Sequence, residues 1–173
     1  MLPFLLSLFL ATAAQSTAFD DERVLGRTSE HSAALISTRG GMFYGISLTP
    51  RDGHLCQIRA YFQGESPRTA EYCSGRVVSR HFEETGISAI HSTQAVEAIS
   101  ACFSGQTHIA ALGLTDAAGE RVSTSAGACD SEFQTVSCRS GWAVQGLHLY
   151  FDGPADGRRH RRLVGLRPLC AQL

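Results

Sequence analysis

Two stretches near the C-terminus, CRSGWAVQGLHLYF at residues 138–151 and LVGLRPLC at residues 163–170, determine the predicted fold. Along both, apolar residues alternate with polar residues or glycine, the period-two pattern of a half-buried β-strand. Asp152-Gly153 and Asp156-Gly157 lie between them. Aspartate followed by glycine supplies the side-chain hydrogen bond and the positive φ that β-turns need. The region therefore predicts a strand, a turn-rich loop and a returning strand.

The same construction occurs twice more upstream. Residues 45–48 lead through Asp52-Gly53 into residues 56–62, and residues 111–114 lead through residues 116–119 into residues 121–123. A short echo precedes each unit, at residues 37–40, 102–105 and 138–141. Because one hairpin cannot bury its apolar face alone, the units must pack together. We therefore predict an all-β domain with a closed three-fold arrangement of hairpins, and a two-sheet β-sandwich as the alternative.

The segment between residues 73 and 99 fits this scheme least well. Residues 77–78 and 87–90 favour strands, whereas residues 94–100 are equally compatible with a short helix, because Val96 and Ile99 lie three residues apart.

The N-terminus is typical of a secretory signal peptide. Residues 2–10 are almost continuously apolar, and small residues follow at 11–14. The run is too short to span a bilayer. The charged run at residues 20–23 argues against the alternative, a buried N-terminal strand or helix. Cleavage after Ala14 or Ala18 is acceptable, so we predict a signal peptide over residues 1–18 and a single domain over residues 19–173.

Cysteine usage agrees with export. The chain has six cysteines, an even number that indicates a disulfide framework in a small secreted domain: Cys56, Cys73, Cys102, Cys129, Cys138 and Cys170. The third repeat brings its opening and closing strands together and predicts a Cys138–Cys170 bond. Pairing of sequence neighbours then gives Cys102–Cys129 and Cys56–Cys73. Zinc is the competing interpretation, but no Cys-x-x-Cys occurs.

Composition excludes several protein classes. The 173 residues are 43% hydrophobic and 18% charged, with a formal net charge of −1, which is typical of one globular domain and not of a disordered, collagenous or multi-helix membrane protein. The chain has neither lysine nor asparagine, so it has no N-glycosylation acceptor. An exported chain of this charge is not expected to bind nucleic acid.

The pattern Cys138-x-x-Gly141-Trp142-x-x-x-Gly146-Leu147-x-Leu149, followed by Leu163-Val164-Gly165-Leu166-Arg167-x-x-Cys170, resembles one repeat of the vitelline-membrane outer-layer proteins. The resemblance is best over residues 136–170 and faint over residues 36–62 and 99–129. The wider relatives are the jacalin-like lectins, which share a three-fold β-prism without the cysteines. The resemblance implies three four-stranded sheets around a pseudo-three-fold axis and an extracellular setting that faces carbohydrate.

The chain differs from these families at two places where binding residues would be expected, so no binding residue is transferred from them. Where that family has an acidic stretch before the closing strand, this chain has Gly157-Arg158-Arg159-His160-Arg161-Arg162, which is opposite in charge. The late Gly-x-x-x-Asp motif of jacalin-like sugar sites is also unmatched, because Asp156 lies one position early after Gly153.

Candidate ligand-binding residues form one basic cluster and one aromatic position. The cluster is Arg158, Arg159, His160, Arg161 and Arg162. Its guanidinium groups are forked donors suited to sulfate, phosphate or carboxylate, as in heparin-like polymers. The alternative is a solvated loop that protects a sheet edge. Trp142 is suited to stacking on a sugar ring, or to anchoring the core.

No catalytic or metal site is predicted. The seven histidines share no motif, since His-Glu-x-x-His and Gly-x-Ser-x-Gly are both absent. We therefore expect no catalytic residue, no metal and no cofactor, although His81 and Glu83 share a face if they lie on a strand.

These observations predict a secreted, non-catalytic protein that binds glycans or builds an extracellular coat. In a bacterium, the expected location is the periplasm. Its expected partners are glycans or an acidic extracellular surface, with no nucleic acid and no membrane span. One alternative is a small secreted hydrolase with histidine, aspartate and glutamate in a cleft. Another is an inhibitor or partner-binding subunit that uses the arginine-rich loop. The oligomeric state does not follow from the sequence.

Overall fold

The computed structural model describes residues 23–51, 54–71, 88–153 and 162–173. These residues form twelve β-strands and no helix. The strands are β1 (Leu25–Gly26), β2 (His31–Ile36), β3 (Phe43–Arg51), β4 (His54–Phe62), β5 (Arg68–Glu71), β6 (Ser88–His91), β7 (Val96–Ser104), β8 (His108–Asp116), β9 (Arg121–Ser125), β10 (Gln134–Ser137), β11 (Trp142–Phe151) and β12 (Leu163–Gln172). The predicted signal peptide, residues 1–18, lies outside the described residues.

The strands form three antiparallel four-stranded sheets. The first sheet has the order β5-β4-β3-β6, the second β10-β7-β8-β9 and the third β1-β12-β11-β2. The predicted all-β, three-fold class is confirmed, and the β-sandwich alternative is wrong because the strands divide among three sheets. Each sheet alone is too small to bury its apolar face, so all three share one core.

The three sheets repeat one plan. In each, a hairpin of two long inner strands is flanked by two shorter strands, and the N-terminal β1 and β2 supply the flanks of the third sheet. The first inner strand carries two register shifts at the same spacing in all three sheets. They begin at residues 43 and 49 in β3, 96 and 102 in β7, and 144 and 150 in β11. This agreement aligns the repeats residue by residue.

The structure corrects the second predicted unit. Its inner hairpin is β7–β8, so residues 121–123 form the flanking strand β9 rather than an inner strand. The Asp116 turn is present, but it connects an inner strand to a flanking one. The helix alternative for residues 94–100 is wrong from Val96 onward, because β7 pairs with both β8 and β10. The predicted strand at residues 77–78 lies outside the described residues.

Alternate residues of the inner strands fill the core. On β4, Cys56, Ile58, Ala60 and Phe62 are buried as predicted, whereas Gln57 and Arg59 are half-buried. On β12, Val164, Leu166, Pro168 and Cys170 are likewise buried, and Arg167 is half-buried. Leu169 and Ala171 are buried as well, so the outward face of β12 is less exposed than alternation predicts. β4 and β12 lie in separate sheets, as the three-fold arrangement requires.

Two disulfides join the predicted pairs. Cys138 is bonded to Cys170 with a Cα–Cα distance of 5.7 Å, and Cys102 to Cys129 with 5.8 Å. Cys56 is disulfide-bonded as well. Cys73, its predicted partner, lies outside the described residues.

Candidate functional site

The common plan gives the molecule two distinct ends. We call the end where the inner hairpins turn the hairpin end; it includes the turn at residues 104–107 and the start of β12. We call the opposite end the loop end. There, the segments 37–42, 92–95 and 138–141 lead into the first inner strand of each sheet. Each end has a depression lined by polar side chains.

The depression at the hairpin end, which we call the hairpin-end cleft, lies between the second and third sheets. Its volume is about 440 Å³. The lining residues are Gly26, Arg27, Phe103, Gln106, Thr107, Ser131, Gln134 and Val164. Arg27 is positioned by its backbone N–H, which donates to the carbonyl of Val164 at 3.1 Å. The cleft is thus assembled from the first and last strands of the chain and from the β7–β8 turn.

Gln106 presents its side chain to this cleft from an unusual backbone conformation. Its φ is 56°, in the left-handed region that glycine enters without strain. For any residue other than glycine, including Gln106, this conformation costs about 1 kcal/mol. Gly105 has the same φ, and the Thr107 N–H donates to the carbonyl of Ser104 at 3.2 Å, which is the geometry of a tight hairpin turn. The turn places the Gln106 side chain at the cleft.

Asp130 and Ser131 hold the β7–β8 turn in place. Both carboxylate oxygens of Asp130 accept from the backbone N–H of Gly105, at 3.0 and 2.9 Å. The hydroxyl of Ser131 accepts from the N–H of Phe103 at 2.9 Å. With the Cys102–Cys129 disulfide beside them, these bonds fix the wall of the cleft that carries Gln106 and Thr107.

The base of the arginine-rich loop lies at the same end. Of its residues, Arg162 is described and exposed, whereas Arg158, Arg159, His160 and Arg161 lie outside the described residues. The backbone N–H of Arg162 donates to Asp152 Oδ1 at 2.7 Å, and the N–H of Asp152 donates back to the carbonyl of Arg162 at 3.1 Å. The base of the loop is therefore closed next to Val164, which lines the cleft.

The depression at the loop end, which we call the loop-end cavity, has a volume of about 750 Å³. It is lined by Thr38, Arg39, Tyr44, Phe62, Gln63, Gly64, Glu65, Ser66 and Arg68. The β2–β3 loop and the β4–β5 turn form its walls. Tyr44 extends the cavity onto the outer face of the first sheet.

Glu65 holds these two walls together. One carboxylate oxygen accepts from the Ser37 hydroxyl and from the backbone N–H groups of Arg39 and Gly41, and the other accepts from the N–H and hydroxyl of Thr38. Arg68 Nη2 lies 3.4 Å from the second oxygen. The Ser37 hydrogen bond, followed by those of the backbone N–H groups, lowers the pKa of Glu65 far below its usual value.

The second and third sheets close the same end with different bonds. Asp116 and Cys170 occupy equivalent register positions, opposite Val96 and Val144. Asp116 accepts from the Ser92 hydroxyl at 2.8 Å, and this bond, with those of the Glu120 and Ala118 N–H groups, lowers its pKa. Cys170 instead forms the disulfide to Cys138.

An aromatic group covers the outer face of the first sheet beside the loop-end cavity. Tyr61 and His91 both pair with Gly45 across the sheet, and their rings meet at 4.9 Å above it. Tyr44 lies 5.5 Å from His91. Gly45 permits this arrangement, because a Cβ there would collide with the His91 ring.

Trp142, the predicted stacking residue, is half-buried at the start of β11. The guanidinium of Arg139 lies 3.6 Å from its ring centroid, so one ring face already holds a cation–π contact. Its role in sugar stacking stays a prediction.

His148 is half-buried on the outer face of the third sheet. It stacks on Tyr150 at 4.7 Å, and Arg167 Nη2 donates to its Nδ1 at 3.1 Å. Burial, followed by the charge of Arg167, lowers the pKa of His148.

Among residues 23–51, 54–71, 88–153 and 162–173, no group of three or more histidine, cysteine, aspartate and glutamate side chains is placed to hold a metal ion. Within those same ranges, no helix has the length and apolar character needed to cross a membrane.

No protein-family profile and no curated sequence matches this chain. Among solved structures, Calsepa lectin in complex with a biantennary N-glycan superposes with a TM-score of 0.58 at 10% identity, covering 93% of this chain and 100% of that chain. The second β-prism domain of RbmC from V. cholerae superposes with a TM-score of 0.50 at 12% identity, covering 86% and 98%.

This chain has a β-prism fold. The V. cholerae biofilm matrix protein Bap1 is also similar, with a TM-score of 0.57 at 15% identity over 91% of this chain, which spans 24% of the Bap1 chain. At such identities the likeness establishes the fold alone. The similarity to β-prism lectins agrees with the wider resemblance predicted from the sequence, whereas membership of the vitelline-membrane family stays a prediction.

Sequence reasoning missed both depressions. Gln106, Arg27 and Glu65 lie in three different segments, and no local motif connects them. The one available signal was the echo at residues 37–40 and 138–141, which aligns Ser37 with Cys138 and so marks the loop end of two sheets. The third predicted member of the echo, residues 102–105, lies instead at the hairpin end, where β7 turns into β8.

Proposed function

We propose that this protein is a secreted carbohydrate-binding protein and that the hairpin-end cleft is its glycan site. The observation that carries the proposal is the set of polar side chains around the cleft: Arg27, Gln106, Thr107, Ser131 and Gln134. Amide, hydroxyl and guanidinium groups are the donors and acceptors that sugar hydroxyls need, and a volume of about 440 Å³ accommodates a small saccharide.

The fold supports the same conclusion by analogy. Calsepa lectin, which has this fold, was solved with a biantennary N-glycan, and Bap1 is a biofilm matrix protein. Disulfides and the predicted signal peptide are consistent with an extracellular or periplasmic location. Binding to an extracellular matrix polysaccharide combines the lectin and coat interpretations of the sequence.

The arginine-rich loop contributes a second, electrostatic element to this proposal. Arg162, at the base of this loop, lies at the hairpin end, two residues from Val164 of the cleft. We expect replacement of all four by serine to abolish retention on a heparin column with little change in thermal stability. Unaltered retention assigns the loop to sheet-edge protection only.

The test of the cleft is a glycan array probed with the wild-type protein and with Gln106→Gly. This substitution removes the amide side chain while it relieves the left-handed backbone, so a loss of binding is not caused by unfolding. Gln106→Asn, which keeps a shorter amide and tolerates the same φ, should retain part of the signal. Gln94→Ala, at the opposite end, is the matched control. Full binding by Gln106→Gly would contradict the proposed site.

A further inference from the structure

The loop-end cavity has features of a binding site that the proposed function does not use. It lies at the opposite end of the prism from the hairpin-end cleft and is the larger of the two, with about 750 Å³ against about 440 Å³. Its lining combines two arginines, one carboxylate and the ring of Tyr44. The charges and the ring together indicate which ligand chemistry it accepts.

The Glu65 carboxylate is already occupied by hydrogen bonds within the protein. Glu65 accepts five hydrogen bonds from the β2–β3 loop and one contact from Arg68, and its side chain is only 3% exposed. Its lone pairs are therefore already used, and its negative charge is balanced by Arg68 and by backbone N–H groups. Glu65 acts as a positioning residue for the wall of the cavity.

The arginines retain unused donors. Arg39 is exposed and gives only its backbone N–H to Ser37 and Glu65, so its guanidinium makes no hydrogen bond within the described residues. Arg68 uses Nη2 on Thr38 and Glu65, its side chain is 39% exposed, and its Nε is enclosed without an acceptor. The lining therefore has two positively charged guanidinium groups and one negatively charged carboxylate, which gives it a net charge of one positive unit.

The Tyr44 ring, which forms the aromatic wall of the cavity, also restricts which ligands fit. The Tyr44 ring is held between the cavity and His91, so its position is fixed before any ligand arrives. A fixed aromatic ring next to forked cationic donors suits a sugar ring that carries an anionic group, because the ring stacks while the anion accepts two N–H groups.

We propose that the loop-end cavity is a second carbohydrate site, selective for an acidic sugar unit whose carboxylate or sulfate is held by Arg39 and Arg68 beside Tyr44. The proposal goes beyond the hairpin-end glycan site and does not depend on it. Two sites at opposite ends of one prism would allow a single molecule to cross-link two matrix chains.

The test is isothermal titration calorimetry with three tetrasaccharides. Hyaluronan tetrasaccharide carries carboxylates only, chondroitin 4-sulfate tetrasaccharide adds sulfate, and chitotetraose is neutral. We expect both acidic probes to bind more tightly than chitotetraose, with affinity that falls as salt increases. Stronger binding of the sulfated probe would identify sulfate as the preferred anion, whereas equal binding of the two would identify the carboxylate.

Arg39→Gln is the decisive variant, because Arg39 is exposed and its side chain has no structural partner within the described residues. Loss of charge-assisted hydrogen bonds should weaken hyaluronan binding about tenfold. Arg121→Gln, on the exposed flank of the second sheet, makes the same charge change and should have no effect. The titrations are repeated with Gln106→Gly present, so that hairpin-end binding does not contribute. Unchanged hyaluronan affinity on adding Arg39→Gln, or equal affinity for the acidic and neutral probes, would then overturn the proposal.

The same titration separates this proposal from the proposed function. Gln106→Gly should leave hyaluronan binding at the loop end intact, and Arg39→Gln should leave neutral-glycan binding at the hairpin end intact. Failure at one end thus does not count against the other.

Discussion

At the loop end the carboxylates of Glu65 and Asp116 and the Cys138–Cys170 disulfide are all used to connect parts of the chain. At the hairpin end, by contrast, the side chains of Arg27, Gln106 and Gln134 line a cleft and make no hydrogen bond within the described residues. The groups that connect parts of the chain and the side chains of Arg27, Gln106 and Gln134 are different residues. Substitutions in these two sets should therefore separate stability from binding.

The largest expected effect is loss of the loop-end disulfide. Cys138→Ala with Cys170→Ala removes a loop closure worth roughly 3 kcal/mol in the chain-entropy model. Cys102→Ala with Cys129→Ala, at the hairpin end, opens a loop of similar length, 27 against 32 residues of separation. We expect the loop-end double variant to lose more free energy of unfolding in a urea titration than the hairpin-end double variant. The reason is that Cys138 packs against the core whereas Cys129 is exposed. Equal losses would show that burial adds nothing to the loop-end bond.

The second-largest effect is expected from acid, which should reduce the stability that the loop end contributes. The folded pKa values of Glu65 and Asp116 are depressed, so their stabilising contribution is fully present above the ordinary carboxylate pKa values of 4.5 and 3.8 and is lost as pH falls below them. Glu65→Gln with Asp116→Asn should flatten the acid limb of a thermal-melting profile measured from pH 6 to pH 3.

Glu132→Gln, an exposed carboxylate at the hairpin end, is the control for that profile. An acid limb that stays as steep in the double variant as in the control would mean that other carboxylates cause the acid instability.

A smaller pH effect is expected from the outer face of the third sheet. Because the folded pKa of His148 is lowered from 6.5, the neutral imidazole is favoured, and stability should decrease as pH falls below about 6.5. His148→Gln keeps an acceptor for Arg167 and cannot be protonated, so its melting temperature should vary less between pH 7 and pH 5. An unchanged slope would exclude His148 as the source.

The smallest effect on stability is expected for Gln106→Gly. Relief of the left-handed φ favours the folded state, while the added freedom of glycine favours the unfolded state, so the two contributions nearly cancel to within about 1 kcal/mol. The urea midpoint should thus stay close to that of the wild type even though binding is lost. A large drop in the midpoint would assign Gln106 a structural role.

The sequence was informative where the pattern is local. The alternation in β4 and the Cys138–Cys170 bond each belong to a single hairpin, and both were predicted correctly. The second unit was misaligned because the Asp116 turn resembles the inner turns in composition, although it leads to a flanking strand. Only pairing across the sheet, which places β7 beside β8, distinguishes the two kinds of turn.

The two depressions could not be predicted, because each is assembled from segments far apart in the chain. Arg27 reaches the hairpin-end cleft only because β1 pairs with β12, and Glu65 reaches Ser37 only because the β4–β5 turn packs against the β2–β3 loop. Such contacts depend on the closure of three sheets, for which no short motif exists.

The most direct test of glycan binding is an ¹H–¹⁵N NMR titration of the wild-type protein with chitotetraose and with hyaluronan tetrasaccharide. The backbone amides of Gly105 and Thr107 report on the hairpin-end cleft, and those of Gly64 and Ser66 on the loop-end cavity. We expect both saccharides to shift the first pair and only hyaluronan to shift the second. Shifts confined to the outer faces of the sheets, or no saturable shift with either saccharide, would contradict carbohydrate binding at the ends of the prism.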